Sequence, residues 1–315
     1  MEMIRHNYVN VRGLKLHVAE TGTGPAVVFL HGFPEIWYSW RHQMIAVANA
    51  GFRAIAPDFR GYGLSEVPAE PEKATFRDLV DDTLAILDSF ELQKVFLVGK
   101  DFGARVVHHF ALLHQDRVAA LVTVGVPFMT TGPESSLDFL PKGFYMLRWR
   151  ALPSQEPGRA EQDFGRFDIK TVVKNIYILF SGSDLQVARE DQEIMDLVDP
   201  STPLPPWFSE EDLTNYANLY EKSGFQTALQ VPYRTWLEGD GVENPRISVP
   251  ALLIMGEKDY ALKFASLGEY ISSGKVKEYV PELEITFLPE GTHFVQEQFP
   301  DKVNQLLLTF LNKHK

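Results

Sequence analysis

The 315-residue chain contains no cysteine, which excludes disulfides, thiolate metal sites and a cysteine nucleophile. It has no long charge-free apolar run that could span a bilayer, and the first residues lack the apolar core of a signal peptide. No phosphate-cradling glycine loop is present, so a nucleotide enzyme has no support. Basic residues are in deficit: 30 Lys and Arg stand against 42 Asp and Glu, a formal charge of −12. Such a surface repels nucleic acid and anionic membranes, and neither is expected as a partner. The end, Asn312-Lys313-His314-Lys315, carries no recognised address, and the cytoplasm is the expected compartment.

What is present reads as an ordinary soluble globular chain, 45% hydrophobic and 23% charged, long enough for one large domain or a core with an inserted subdomain. Gly13 to Ala19 alternates in the manner of a strand. Ala26 to Leu30, Phe52 to Ala56, Val95 to Val98, Leu121 to Val124, Ala251 to Met255 and Ile285 to Leu288 are short and apolar or β-rich, as buried parallel strands are. Helical spacing appears over Phe76 to Phe90, Gly103 to His114 and Val303 to Leu311. Strands alternating with helices predict a mostly parallel sheet with helices on both faces. The rhythm breaks near Pro127 and resumes at Val249, with Pro133, Pro141, Pro153, Pro157 and the cluster from Pro200 to Pro206 between. The expected division is therefore a core over 1–127 and 247–315, with a helical lid over 128–246.

Gly99-Lys100-Asp101-Phe102-Gly103 follows one apolar strand and opens a helix. This is the pattern of a nucleophile elbow, with aspartate in place of serine. An aspartate that merely caps a helix after a glycine turn gives the same five residues, so the surrounding residues decide. A carboxylate is already ionised at neutral pH and needs no base to attack. Its natural target is a carbon bearing a leaving oxygen or halide, and the product is an alkyl ester on the protein. Attack on an ester substrate would give an anhydride, which argues against an esterase or peptidase. A base is needed for the second step, when water attacks the new ester. His293, between the last apolar strand and the final helix, is the expected base. Asp259 in Gly256-Glu257-Lys258-Asp259 is its expected orienting acid, with Glu257 as the nearest rival. His108, His109 and His114 lie along the helix after Asp101 without metal-ligand spacing and read as surface or packing residues.

His31-Gly32-Phe33-Pro34-Glu35 follows the strand Ala26 to Leu30. Together with Gly99 to Ala104 and Asp58-Phe59-Arg60-Gly61-Tyr62-Gly63, it resembles the soluble plant-type epoxide hydrolases of the α/β-hydrolase superfamily, through nearly the whole chain. The resemblance implies an α/β-hydrolase fold, epoxide opening to a vicinal diol, and no cofactor or metal. It implies an oxyanion hole from the Phe33 and Phe102 amides, a cis bond before Pro34, a structural His31 in the turn that places substrate and water, and a water-placing Glu35. It further implies two lid tyrosines that hold the epoxide oxygen. Tyr145, followed by Glu156-Pro157-Gly158 at a longer spacing than usual, fits the first; Tyr233 in Val231-Pro232-Tyr233-Arg234 fits the second. Packing tyrosines are the alternative.

Two positions depart from the family pattern: Lys100 stands where histidine is usual, and Phe102 where tryptophan is usual. The Lys100 side chain is expected to reach solvent, with the alternative that it points inward and alters the pH dependence of the second step or dampens turnover. A haloalkane or haloacid dehalogenase is the nearest enzyme alternative, although Phe33 and Phe102 offer no side-chain donor for a halide; Trp149, Trp207 and Trp236 leave that reading open. A non-catalytic small-molecule receptor is the second alternative. The expected partners are an epoxide and water, with the chain a monomer or homodimer.

Overall fold

The computed structural model describes residues 4–130, 140–150, 158–235, 241–264 and 266–315. Eight strands form its central sheet: β1 (Arg5–Val11), β2 (Leu14–Gly22), β3 (Ala26–Leu30), β4 (Arg53–Pro57), β5 (Val95–Lys100), β6 (Val118–Val124), β7 (Ala251–Gly256) and β8 (Leu283–Leu288). Their spatial order is β1-β2-β4-β3-β5-β6-β7-β8. The first two pairings are antiparallel and the remainder parallel. Every residue of β3, β5 and β7 is buried, which is why those segments are apolar runs instead of alternating ones.

The edge strand β1 escapes the sequence pattern because Arg5, His6, Asn7 and Tyr8 are exposed. Helix α1 (Arg41–Asn49) escapes it too, since its buried face mixes Arg41 and Gln43 with Met44 and Val47. By contrast α2 (Phe76–Ser89) and α3 (Phe102–Leu113) follow the expected spacing. The start of α2 is set by Thr75, whose hydroxyl accepts the Asp78 N–H while the Asp78 carboxylate accepts the Thr75 N–H, an arrangement worth about 1 kcal/mol.

Between β6 and β7 lie five helices among the described residues: α4 (Tyr145–Trp149), α5 (Arg159–Phe164), α6 (Ile169–Phe180), α7 (Glu210–Tyr220) and α8 (Gln226–Leu229). After β7 come α9 (Leu267–Ser272), α10 (Val295–Gln298) and α11 (Pro300–Lys313). The segment of helices is fastened to the sheet domain by a buried polar cluster. Glu297 on α10 accepts hydrogen bonds from Tyr177 on α6 (2.8 Å), Tyr216 on α7 (3.1 Å) and Arg41 on α1 (2.5 Å). Arg41 also reaches Asp212 on α7 at 2.8 Å. Tyr62 adds a hydrogen bond to the Val231 carbonyl at 2.6 Å. No helix among the described residues is long and apolar enough to cross a membrane.

The chain runs from β3 to β4 on one side and then crosses to β5 on the other. The order of connection thus reverses between β3 and β5, which lie side by side with Leu30 opposite Gly99. In open α/β sheets such a reversal opens a crevice at the carboxyl ends of the strands. Phe33 and Asp101 emerge there.

Candidate active site

Asp101 sits at the tip of the turn between β5 and α3 with φ of 53° and ψ of −120°, a conformation that costs a non-glycine residue free energy and that the surrounding structure must enforce. Close packing enforces it. A methyl group on Gly99 would lie 2.4 Å from the Gly103 carbonyl oxygen, and one on Gly103 would lie 2.1 Å from the Leu30 carbonyl oxygen. Only glycine lets the turn press this closely against itself and β3.

The Asp101 carboxylate is held from two sides. Its Oδ1 accepts the Phe33 N–H at 3.2 Å, and the Phe102 N–H also hydrogen-bonds to the carboxylate. Its Oδ2 lies 3.2 Å from His293 Nε2. On the far side of the ring, His293 Nδ1 lies 3.1 Å from both oxygens of Asp259. Asp259 is fixed in turn by accepting the Ala261 N–H at 2.9 Å. The three side chains come from the ends of β5, β7 and β8 and are almost fully buried. Glu257, the rival acid, is exposed.

Burial opposes ionisation of Asp101, but the hydrogen bond and charge of His293, helped by Lys100 and the Phe102 amide, hold its pKa below the ordinary carboxylate value. Burial and the Lys100 cation pull His293 down, yet the Asp259 charge and the hydrogen bonds to Asp101 and Asp259 prevail and lift it to about 9. The resting arrangement at neutral pH is thus an ionised Asp101 beside an imidazolium, with Asp259 on the far side of the ring.

The turn after β3 supplies the rest. The Phe33–Pro34 bond is cis. His31 is fully buried, with Nδ1 at 2.8 Å from the Gly32 carbonyl and Nε2 accepting the Phe59 N–H at 3.1 Å; the first bond holds the ring in its own turn and the second ties that turn to the loop after β4. Glu35 is fully buried, its Oε1 accepting from Gln296 and its Oε2 without a side-chain or backbone partner among the described residues. A methyl group on Gly32 would stand 2.7 Å from Asp101 Oδ1 and 2.9 Å from Glu35 Oε2, so the two carboxylates face each other across this glycine. Burial pushes the Glu35 pKa up to about 7, an effect the Lys100 cation tempers.

Lys100 corrects an expectation. Its side chain is fully buried instead of reaching solvent, and its Nζ has no hydrogen-bond partner among the described residues. The reason is its place as the last residue of β5, an interior strand covered on both faces. The ammonium stands 5.5 Å from the centre of the Phe294 ring. It also converges with Asp259 and His293 on Gly125: a methyl group there would meet Lys100 Nζ at 3.4 Å, Asp259 Oδ2 at 3.4 Å and His293 Cε1 at 3.8 Å.

The two tyrosines are brought over this site. The Tyr233 ring packs edge-on against Phe33 (5.5 Å between centroids) and Phe102 (5.4 Å), and Tyr145 packs edge-on against Tyr233 at 6.1 Å. Trp149 packs against all three, 5.2 Å from Tyr145, 5.0 Å from Tyr233 and 5.8 Å from Phe33. Trp207 packs instead against Tyr177, Phe208 and Phe294. Trp236 and Glu156-Pro157 lie outside the described residues. His108 and His109 are buried in α3 and pack against Phe128 and Phe76.

Two residues of the site were not read from the sequence. Tyr260, directly after Asp259, places its hydroxyl 3.2 Å from that of Tyr145. Gln296 holds Glu35. Adjacency to Asp259 was a usable signal for Tyr260, whereas nothing local marks Gln296.

The α/β hydrolase fold family matches residues 25–300. Epoxide hydrolase 3 of Siraitia grosvenorii is 37% identical over 99% of this chain and all of its own length. The crystal structure of an epoxide hydrolase from Vigna radiata superposes with a TM-score of 0.91 at 36% identity, covering 99% of each chain. Potato (Solanum tuberosum) epoxide hydrolase I gives 0.88 at 33% identity, covering 98% of this chain and 99% of its own. The chain belongs to the α/β-hydrolase fold family and, within it, to the epoxide hydrolases.

Proposed function

We propose that this enzyme opens epoxides to vicinal diols in two steps, with Asp101 as nucleophile and His293 as the base for water. The observation that carries the reading is the Asp101 carboxylate held between two backbone N–H donors and a buried His293–Asp259 pair. Asp101 attacks one epoxide carbon, the carbon–oxygen bond breaks, and the departing oxygen takes the proton of a phenol from Tyr145 or Tyr233. The ester carbonyl oxygen then lies where the Phe33 and Phe102 amides already point, ready to stabilise the tetrahedral oxyanion. Water gives a proton to His293 and its oxygen to the ester. His293 meets the water as a neutral ring, its resting proton having passed to the phenolate; collapse then frees the Asp101 carboxylate and the diol, the adduct's hydroxyl proton going to the leaving alkoxide, with imidazolium and phenol restored.

The raised His293 pKa fits this sequence. While Asp101 is anionic it favours the imidazolium, which suits an ion-paired resting state. Esterification removes that anion, and the ring can then release its proton and serve as a base. Glu35, with one oxygen unpaired and facing Asp101 across Gly32, is placed to orient the attacking water. We take residues 128–246 as the lid that closes over the substrate, and Phe33, Trp149 and Phe102 as its apolar walls.

The experiment is incubation with styrene oxide and with an epoxy fatty acid, following diol by chromatography. Native protein yields diol from at least one of them and Asp101→Asn yields none. Diol from Asp101→Asn at the native rate excludes this nucleophile, and halide release from chloroalkanes without diol from either epoxide moves the assignment to a dehalogenase.

A further inference from the structure

The two lid phenols are not equivalent. Tyr145 and Tyr233 are both buried, but among the described residues only the Tyr145 hydroxyl is hydrogen-bonded to another side chain, Tyr260 at 3.2 Å. Tyr260 is not a lid residue. It begins the short turn Tyr260–Lys263 that Asp259 caps through the Ala261 N–H, so the acid that orients His293 also fixes the backbone carrying this third phenol. Its ring is wedged between the base and the lid, 5.0 Å from His293, 5.3 Å from Phe180 and 5.5 Å from Phe264.

Resting on the epoxide-hydrolase reading, we propose that Tyr260 is a positioning residue that makes Tyr145 the proton donor of the pair. A hydroxyl carries one proton. When the Tyr145 proton points to the epoxide oxygen, the contact with Tyr260 can persist only with Tyr260 donating. That donation polarises the Tyr145 O–H and strengthens it toward the substrate. As Asp101 forms its bond to carbon and the carbon–oxygen bond breaks, the electron pair moves to oxygen and the Tyr145 proton follows. The phenolate left at Tyr145 then keeps the Tyr260 O–H as its donor, among the rings of Phe144, Trp149 and Phe180. Tyr233 has no such support and serves to orient the epoxide oxygen. Burial drives the Tyr145 pKa up, and the hydrogen bond with Tyr260 works against that rise.

The test is rapid-mix single turnover of styrene oxide, with quenching and mass analysis of the Asp101 peptide, so that ester formation and ester hydrolysis are timed separately. Tyr260→Phe keeps the ring and removes only the hydroxyl. It lowers the rate of ester formation about tenfold, the scale of losing one hydrogen bond to a developing charge, and leaves hydrolysis within about twofold of native. In a Tyr145→Phe background the same change has no further effect on ester formation, since the hydroxyl acts only through Tyr145. Ester formation at the native rate in Tyr260→Phe overturns the proposal. So does an equal slowing of both steps, or an undiminished loss in the Tyr145→Phe background, because each assigns the hydroxyl to packing. Absence of any Asp101 ester in the native protein overturns the hydrolase reading itself, a result distinct from these.

Discussion

Asp101 controls the charge of its own partner. With the carboxylate free, His293 titrates at about 9 and is cationic at neutral pH; with the carboxylate esterified, one of the two anions that raise it is gone. Ester hydrolysis is therefore predicted to rise with pH through a midpoint below 9, because the neutral ring is the active form. Ester formation needs only an ionised Asp101, whose pKa is lowered, so that step persists to more acidic pH. Single-turnover profiles of the two steps check this, and superimposable profiles would contradict it. Lys100 belongs to the same balance, since its charge lowers His293 and opposes the burial of Glu35. Lys100→Met is predicted to move the midpoint of hydrolysis to higher pH; an unchanged or lower midpoint would mean that its charge is not felt at the ring. The sequence disclosed the cation beside Asp101 but not its burial. Which way a side chain turns at the end of a strand depends on the layer above it, and here that layer is brought by Phe294, nearly two hundred residues later.

At the scale of elements, the turn from strand to helix was legible because its signals are local: two glycines, an apolar strand before and a helix after; those five residues alone do not separate a nucleophile from a helix cap. Its tolerance is small. Gly103→Ala would drive a methyl group to 2.1 Å from the Leu30 carbonyl oxygen, and backbone cannot swing aside as a flexible side chain can. Thermal unfolding of this variant should show a loss of about 3 kcal/mol or more, with activity falling further because Asp101 moves relative to the Phe33 and Phe102 amides. A variant with native melting and activity would show that the turn has slack. Elements whose faces mix polar and apolar residues were missed, as α1 and β1 show. Arg41 lies on the buried face of α1 because Glu297 and Asp212 await it there, and no local pattern reveals partners that distant in sequence.

Over the whole molecule, the joining of helical insertion to sheet depends on Glu297. Its carboxylate gathers Arg41, Tyr177 and Tyr216 from three helices in a buried setting. Glu297→Ala leaves the Arg41 charge and two phenols without this acceptor, and removal of one partner of a buried pair costs about 3–5 kcal/mol. The expected result is a melting temperature lowered by several degrees and a raised KM for epoxide, from helices no longer held against the sheet. An unchanged melting temperature would assign the fastening to the other contacts between helices and sheet. The mostly parallel sheet could be read from periodicity. How the insertion is fixed over the carboxyl ends of β3 and β5 could not, since that rests on pairings such as Tyr38 with Asp212 and Tyr62 with Val231 that carry no signature in either segment.

The central claim is that the diol's new oxygen reaches it through an ester on Asp101, and a single turnover in oxygen-18 water tests that most directly. With enzyme in excess over styrene oxide, water attacks the ester carbonyl, so the first diol formed carries the unlabelled oxygen of Asp101. The label is then predicted in the Asp101 carboxylate, found by mass analysis of the peptide that contains it. Labelled diol from that first turnover, with an unlabelled Asp101, would mean that water attacks the epoxide directly and that Asp101 is not the nucleophile.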